Sequence, residues 1–153
     1  MKRIALVLTL CVCTSILGGC DFMNYIWQHV VGHGYNQVSM DGIQSAEISM
    51  STAVVVSGSL GQNSVLLYKT RHGYYGKLAV ISLSGTSLEL QFTTFDTTGQ
   101  VLASRDHLAM GPGDYCDLES AGTDAGAAAG NFLWTGGALV PQGQPPAKFY
   151  LLP

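Results

Sequence analysis

Residues 87–104 constrain the fold more than any other part of this chain. Leu88, Leu90 and Phe92 alternate with polar residues, and this period of two indicates a strand with one buried face. The connection Asp96–Gly99 follows, before the chain becomes apolar again. An Asp that bonds its own backbone and a Gly that accepts positive φ are typical of a tight turn. The sequence therefore predicts an antiparallel β-hairpin here.

Short apolar runs recur along the rest of the chain, separated by clusters of Gly, Ser and Pro. The further strand candidates are Glu47–Ser57, Ser64–Thr70, Lys77–Leu83, Asp114–Glu119, Asn131–Thr135 and Lys148–Leu152. This spacing predicts an all-β domain, an immunoglobulin-like β-sandwich of about 7–8 strands, with a small β-barrel as the alternative.

Residues 88–118, LELQFTTFDTTGQVLASRDHLAMGPGDYCDL, contain a strand ending in Phe-Asp, a turn closing on Gly, a second strand and a Pro-Gly turn. In this order of elements the segment resembles immunoglobulin-like domains of bacterial envelope proteins, those of the FxLYD type. The resemblance implies a sandwich fold. Because it consists of strands and turns, it implies no particular chemistry.

The first 20 residues, MKRIALVLTLCVCTSILGGC, have the parts of an export signal. Lys2 and Arg3 are positive, an uncharged apolar run follows, and small residues precede Cys20. The end of this segment resembles the lipobox of bacterial lipoproteins, whose signal is cut just before an acylated cysteine. The resemblance implies a lipid anchor on Cys20 and a domain that faces the periplasm or the exterior of the cell envelope. Asp21 favours the inner membrane if enteric-type sorting applies.

Three regions follow from this reading of the chain. Residues 1–19 are predicted to be the signal peptide, residues 20–45 a lipid-anchored tether, and residues 46–153 the β-sandwich domain. Aromatic residues such as Trp27 in the tether favour a membrane–water boundary. Packing of this segment onto the domain is the alternative. No later segment has the roughly 20 unbroken apolar residues of a membrane span.

The charge balance argues against a nucleic-acid partner. Once Lys2 and Arg3 leave with the signal, five cations remain against ten acidic residues. A mildly acidic domain is a poor electrostatic match for phosphate backbones. The expected partners are therefore a membrane, through acylated Cys20, and a protein of the envelope.

The segment around the second and third strand candidates carries the candidate interaction surface. It combines three tyrosines with three of the five remaining cations, a mixture that suits a protein or glycan surface. If the flanking strands pair, residues 72–76 form the tip of a hairpin. The alternative is an ordinary hairpin whose charges protect an edge. The candidate residues are Tyr68, Lys69, Arg71, His72, Tyr74, Tyr75 and Lys77.

Residue patterns for metal binding are weak, and we predict neither a metal nor a cofactor. His29 and His33 have the spacing of zinc ligands on a helix, but neighbouring glycines weaken that helix and no third ligand is apparent. An acidic cluster matches no calcium-binding loop, and a solvated face explains it more simply. Its members are Asp114, Asp117, Glu119 and Asp124.

Cys116 is the one cysteine that remains besides Cys20, because Cys11 and Cys13 lie in the signal. On a strand it shares a face with Leu118, which predicts a buried structural thiol. A bridge to a partner is the alternative, or to Cys20 in a protein that carries no lipid.

These features predict a non-catalytic, lipid-anchored envelope protein that presents a β-sandwich for protein–protein interaction, as an accessory part of an envelope assembly. The alternative is a domain that binds a small ligand or a glycan in a pocket lined by Tyr74, Tyr75 or Trp134. An enzyme would need His72 or His107 beside a nucleophile and an acid. The sequence contains no GxSxG or P-loop pattern.

Overall fold

The structure is a computed structural model that describes residues 34–120, 122–123 and 126–153. Two short α-helices are present among these residues, α1 (Met40–Ser45) and α2 (Gly126–Ala129). Single turns of 3-10 helix lie at Tyr35–Gln37, Ala46–Ser49 and Ser57–Ser59. The strands are β1 (Val55–Val56), β2 (Val65–Lys69), β3 (Tyr75–Ser84), β4 (Ser87–Phe95), β5 (Val101–Met110), β6 (Tyr115–Asp117), β7 (Gly122–Thr123), β8 (Phe132–Trp134), β9 (Ala138–Pro141) and β10 (Lys148–Leu151).

The strands form two antiparallel sheets, and the predicted β-sandwich is confirmed. The first sheet has the order β10-β2-β3-β4-β5, and the second has the order β1-β9-β8-β6-β7. The described residues thus form two separate sheets and not a closed barrel. Strands β2 to β5 lie side by side in one sheet in the order in which they follow along the chain. In an immunoglobulin domain, by contrast, the third strand (C) belongs to the opposite sheet from the first two (A and B).

The predicted hairpin of residues 87–104 is confirmed as β4 and β5. Asp96 Oδ1 accepts hydrogen bonds from the amides of Thr98 at 2.8 Å and Gln100 at 3.0 Å. Gly99 has a φ of 85°, which a side chain would strain. The local turn chemistry read from the sequence therefore sets this connection.

The predicted strand at 47–57 is mostly wrong. Residues 46–49 form a 3-10 turn, Ser51 makes an isolated bridge to Phe149, and only Val55–Val56 form a strand. This part of the chain crosses from the first sheet to the edge of the second, so most of it has no strand beside it. The sequence also missed β7 and β9, which are short.

One core lies between the sheets. The first sheet contributes Leu66, Tyr68, Leu78, Leu90, Phe92, Met110 and Phe149, among others. The second contributes Cys116, Phe132, Trp134 and Leu139. The rings of Phe132 and Phe149 meet edge to face across the two sheets, with centroids 5.9 Å apart. Burial of alternate residues from both sheets holds the sandwich together.

Residues 34–50, called the cover segment below, pack on the outer face of β2 and β3. Its apolar residues Val38, Ile43, Ala46 and Met50 are buried. The described domain therefore begins before the predicted boundary at residue 46. The remainder of the predicted tether, Cys20 included, and the signal peptide lie outside the described residues. No helix in the described part of the chain is long and apolar enough to cross a membrane.

Candidate interaction site at the β2–β3 turn

The predicted pairing of the second and third strand candidates is confirmed. Strands β2 and β3 pair from Val65 opposite Ala79 to Lys69 opposite Tyr75. The turn between them closes with a hydrogen bond of 2.8 Å from the amide of Thr70 to the carbonyl of Tyr74. The tip of the hairpin is therefore residues 70–74, two residues earlier than predicted.

Tyr68 does not belong to the interaction surface. It shares the inner face of β2 with Leu66 and is fully buried. Its hydroxyl is hydrogen-bonded to Thr94 Oγ1 at 2.6 Å, and Thr94 donates in turn to the carbonyl of Leu118. Alternation could not have decided this, because Val65 and Leu67 make the other face of β2 apolar as well as the face of Leu66 and Tyr68.

Lys77 is also absent from the surface, since its side chain is only 8% exposed. Its ammonium donates to the backbone carbonyls of Tyr35 and Val38, each at 2.8 Å, and lies 4.7 Å from the Tyr35 ring centroid. Burial lowers the pKa of Lys77. The sequence placed Lys77 wrongly because packing of the tether onto the domain was only the alternative there, whereas the cover segment folds over this lysine.

Lys69 and Tyr75 lie on the same face and bind Glu47 of the cover segment. Lys69 Nζ lies 2.5 Å from Glu47 Oε1, and the Tyr75 hydroxyl donates to Glu47 Oε2. Both bonds lower the pKa of Glu47, and the bond from Lys69 has the larger effect. The bond to Glu47 likewise raises the pKa of Lys69. Both residues thus fasten the cover segment to the hairpin.

Arg71, His72 and Tyr74 remain at the tip, and the first two contact other parts of the chain. Arg71 Nη1 donates to the carbonyl of Ala128, while Arg71 Nε has no hydrogen-bond partner among the described residues. His72 Nδ1 lies 2.5 Å from Glu119 Oε2, and the His72 side chain is 55% exposed. The hairpin tip is thereby tied to the turn after β6 and to α2.

A concavity of about 360 Å³ opens beside Arg71, between α2 and the loop before β10. Ala127, Ala128 and residues 142–144 line the rest of it. Gly143 has a φ of 100°, and a Cβ there would lie 3.0 Å from Arg71 Cδ, so glycine lets the loop approach the arginine. We call this region the tip surface. Its polar side chains are Arg71, His72, Tyr74, Glu119, Gln142 and Gln144.

The acidic cluster predicted from the sequence supports local turns. Asp114 Oδ2 accepts a 2.6 Å bond from the amide of Gly111. Asp117 accepts from the amide of Glu119 and the hydroxyl of Ser120. Among the described residues no three His, Cys, Asp or Glu side chains are grouped to hold a metal ion. Three further candidates for metal binding lie outside the described residues: His29, His33 and Asp124.

The second histidine of the enzyme hypothesis, His107, lies on the outer face of the first sheet. Its Nδ1 is 2.9 Å from Glu89 Oε1, and Ser82 Oγ donates to Glu89 Oε2 at 3.2 Å. The serine is therefore bonded to the acid and not to the imidazole. In a catalytic triad the histidine lies between the serine and the acid, whereas here Glu89 lies between Ser82 and His107.

Cys116 and Trp134 are core residues. Neither side chain is exposed, and the free thiol of Cys116 has a pKa raised by burial. The predicted buried thiol is confirmed. Trp134 is fully buried and its Nε1 donates to the carbonyl of Thr86 at 2.7 Å, so of the three aromatic residues offered for a ligand pocket, Tyr74, Tyr75 or Trp134, the indole is not available.

Comparisons of this chain with protein families, with curated proteins and with solved structures found no match.

Proposed function

We propose that this protein is a lipid-anchored, non-catalytic component of a bacterial cell envelope, and that its β-sandwich binds another envelope protein through the tip surface. The observation that carries the proposed binding role is that hydrogen bonds join the hairpin tip to distant parts of the chain. Arg71 and His72 join segments that are 57 and 47 residues apart in the chain. A surface assembled in this way keeps its shape before a partner arrives, which lowers the entropic cost of binding.

The chemistry of the tip surface suits a protein partner. Tyr and Arg are enriched in the centres of protein interfaces, and amides add adaptable hydrogen bonds. Arg71 lines the concavity and is partly exposed, and Tyr74 is partly exposed in the same hairpin turn. A partner segment with a carboxylate or a backbone carbonyl would complement this arginine.

The anchor is supported by the sequence around Cys20. Acyl chains on this cysteine would hold the domain at the membrane, because stable anchoring takes more than one lipid chain or signal. Confinement near the membrane raises the effective concentration of the domain for a partner in the same membrane. A modest interface at the tip is then sufficient for function.

Labelling of cells with radioactive palmitate tests the anchor. We expect wild-type protein to carry label and to fractionate with membranes, and Cys20→Ser to lose both properties. An unlabelled and freely soluble wild type would reject the lipoprotein proposal, whatever the tip surface does.

Site-directed photo-crosslinking in cells tests the tip surface. A photoreactive amino acid at residue 72 or 74 should give a discrete adduct with one protein, whereas the same group at exposed Ser84, at the opposite end of β3, should not. Arg71→Glu should abolish the adduct, and the matched charge reversal Arg105→Glu on β5 should preserve it. Equal adducts at residues 74 and 84 would contradict the proposal.

A further inference from the structure

A second concavity, which shares no residue with the tip surface, lies on the outer face of the first sheet. Its floor is a row of three register partners, Val65 on β2, Ala79 on β3 and Gln91 on β4. Ala79 has the smallest side chain of the three and lies between the other two. The floor is therefore lowest at its centre, and the row forms a groove across three strands.

Two polar walls rise beside this floor. The 3-10 turn Tyr35–Gln37 forms one wall, and Asn63, in the turn before β2, belongs to the other. The volume of this open groove is about 370 Å³, which lies within the usual range of sites for small ligands. The groove is thus large enough for one or two sugar-sized units.

Carboxamides dominate the lining of the groove. Asn36, Gln37, Asn63 and Gln91 all line it, and no charged side chain does so among the described residues. None of these four amide groups is hydrogen-bonded to another side chain or to the backbone in the described part of the chain. Each can both donate and accept, so the groove presents paired donors and acceptors that now face solvent.

The nearest charges do not favour an anionic ligand. The Lys77 ammonium is buried beneath Tyr35 and already donates to two backbone carbonyls. Asp106 lies close enough to contribute to the raised pKa of Tyr35, although burial is the larger cause. An anion in the groove would therefore lie near the Asp106 carboxylate, while the Lys77 ammonium is already bonded to backbone carbonyls.

The walls are held in place by bonds outside the groove. The Tyr35 hydroxyl is hydrogen-bonded to Thr93 Oγ1 at 2.7 Å, and Lys77 holds the carbonyl of the same residue. Asn63 has a φ of 69°, the one positive φ of a non-glycine residue among those described, and its amide donates to the carbonyl of Val80 at 2.8 Å. Uncommon backbone conformations held in this way are found at ligand sites as well as in turns.

From this lining we propose that the groove binds a neutral saccharide. Sugar hydroxyls donate and accept at once, as do carboxamides, so a sugar satisfies both halves of each amide. An anionic ligand would find no counter-charge among the described residues that line the groove, and an apolar ligand would leave four amides without partners. The proposal does not depend on the protein-binding function of the tip surface.

Saturation-transfer and amide-shift NMR on the full-length chain, in a zwitterionic detergent without sugar headgroups, tests the proposal. The probes are chitotriose, cellotriose and maltotriose, with a glucuronate-containing disaccharide as the charged comparison. We expect at least one neutral trisaccharide to bind at or below about 10 mM, with shifts confined to residues 34–37, 63–65, 79 and 91.

Three variants and one control locate the binding. Gln91→Ala and Asn63→Gly should each weaken it about tenfold, since each removes an amide. Glycine at residue 63 retains the positive φ, so that variant should keep its fold. Ala79→Met should fill the groove, and Gln100→Ala, an exposed carboxamide on the turn before β5, should bind as wild type does.

Three results would overturn the proposal. The first is the absence of binding by any neutral probe up to about 10 mM. The second is binding that Gln91→Ala and Asn63→Gly leave unchanged. The third is a preference for the charged disaccharide over all three neutral ones.

Discussion

At the scale of single residues, the ring of Tyr68 determines what can stand opposite it. Gly76 is its register partner across β2 and β3. A Cβ at residue 76 would lie 2.2 Å from Tyr68 Cζ. The ring is fully buried and its hydroxyl is bonded to Thr94, so it has little freedom to move aside. Glycine is needed here because an aromatic ring covers the backbone of the neighbouring strand.

Gly76→Ala should therefore be strongly destabilising. We expect the free energy of unfolding to fall by about 2–3 kcal/mol, because the added methyl forces the Tyr68 ring out of place. The control is Gly58→Ala, where nothing lies within 4 Å of the new Cβ and the change should stay within about 0.5 kcal/mol. Urea unfolding measures both, and equal losses in the two variants would contradict the steric argument.

The buried Tyr68 also predicts how stability depends on alkaline pH. Burial raises the pKa of Tyr68 well above its usual value, and partial burial raises that of Tyr35. A phenol whose pKa is higher in the folded state contributes stability that is complete below the unfolded pKa of about 10 and is lost as the pH rises above it. We expect the free energy of unfolding to fall above about pH 10, and to fall less steeply in Tyr68→Phe. Urea unfolding measured at several pH values tests this. An equal fall of the free energy of unfolding with pH in the wild type and in Tyr68→Phe would contradict it.

At the scale of elements, the cover segment depends on contacts to the sheet more than on its own helix. α1 has six residues, and Ser39 caps its first turn by accepting a 3.2 Å bond from the amide of Gly42. A helix this short is marginal in isolation. Lys77 and Lys69 of the hairpin hold the segment through backbone carbonyls and Glu47 respectively. The segment is thus folded by the sheet beneath it.

Removing the ammonium of Lys77 should loosen this segment before the rest of the domain. Lys77→Met keeps the apolar stem but leaves the carbonyls of Tyr35 and Val38 without their donor, at a cost of about 1–3 kcal/mol. Hydrogen exchange should accelerate at residues 35–50 more than in β4. Gln100→Met, at an exposed position of the turn before β5, should leave exchange in the cover segment unchanged. Uniform acceleration throughout the domain would contradict a local role.

At the scale of the whole molecule, the two sheets share one set of buried side chains. Phe92 from the first sheet and Phe132 from the second are both fully buried in the same cluster. Neither sheet can expose its inner face without exposing that of the other. The described sandwich should therefore unfold as one cooperative unit.

Truncation of either ring tests this cooperativity. Phe92→Ala and Phe132→Ala should each lower the free energy of unfolding by about 3–5 kcal/mol. Each should accelerate exchange in both sheets to the same extent. Val101→Ala, at a residue that is 59% exposed, should cost less than about 0.5 kcal/mol. Protection that persists in one sheet while the other exchanges would show that the sheets are independent.

Much of the first sheet could be read from the sequence because its signals are local. The alternation in β4, the turn at Asp96–Gly99 and the pairing of β2 with β3 all rest on neighbours a few residues apart. The orientation of Cys116 followed in the same way from its strand. The candidate interaction surface was only partly right, since Tyr68 and Lys77 are buried while Arg71, His72 and Tyr74 lie at the tip.

What the sequence determined by itself is therefore the class of fold and several of its strands, because side-chain period and turn chemistry act over a few residues. Only the tertiary structure decided which side chains are accessible to a partner. In the folded protein the cover segment lies over Lys77, Glu119 lies beside His72, and four carboxamides line one groove. These contacts join residues far apart in the chain, and their energies depend on burial and approach, which no local pattern encodes.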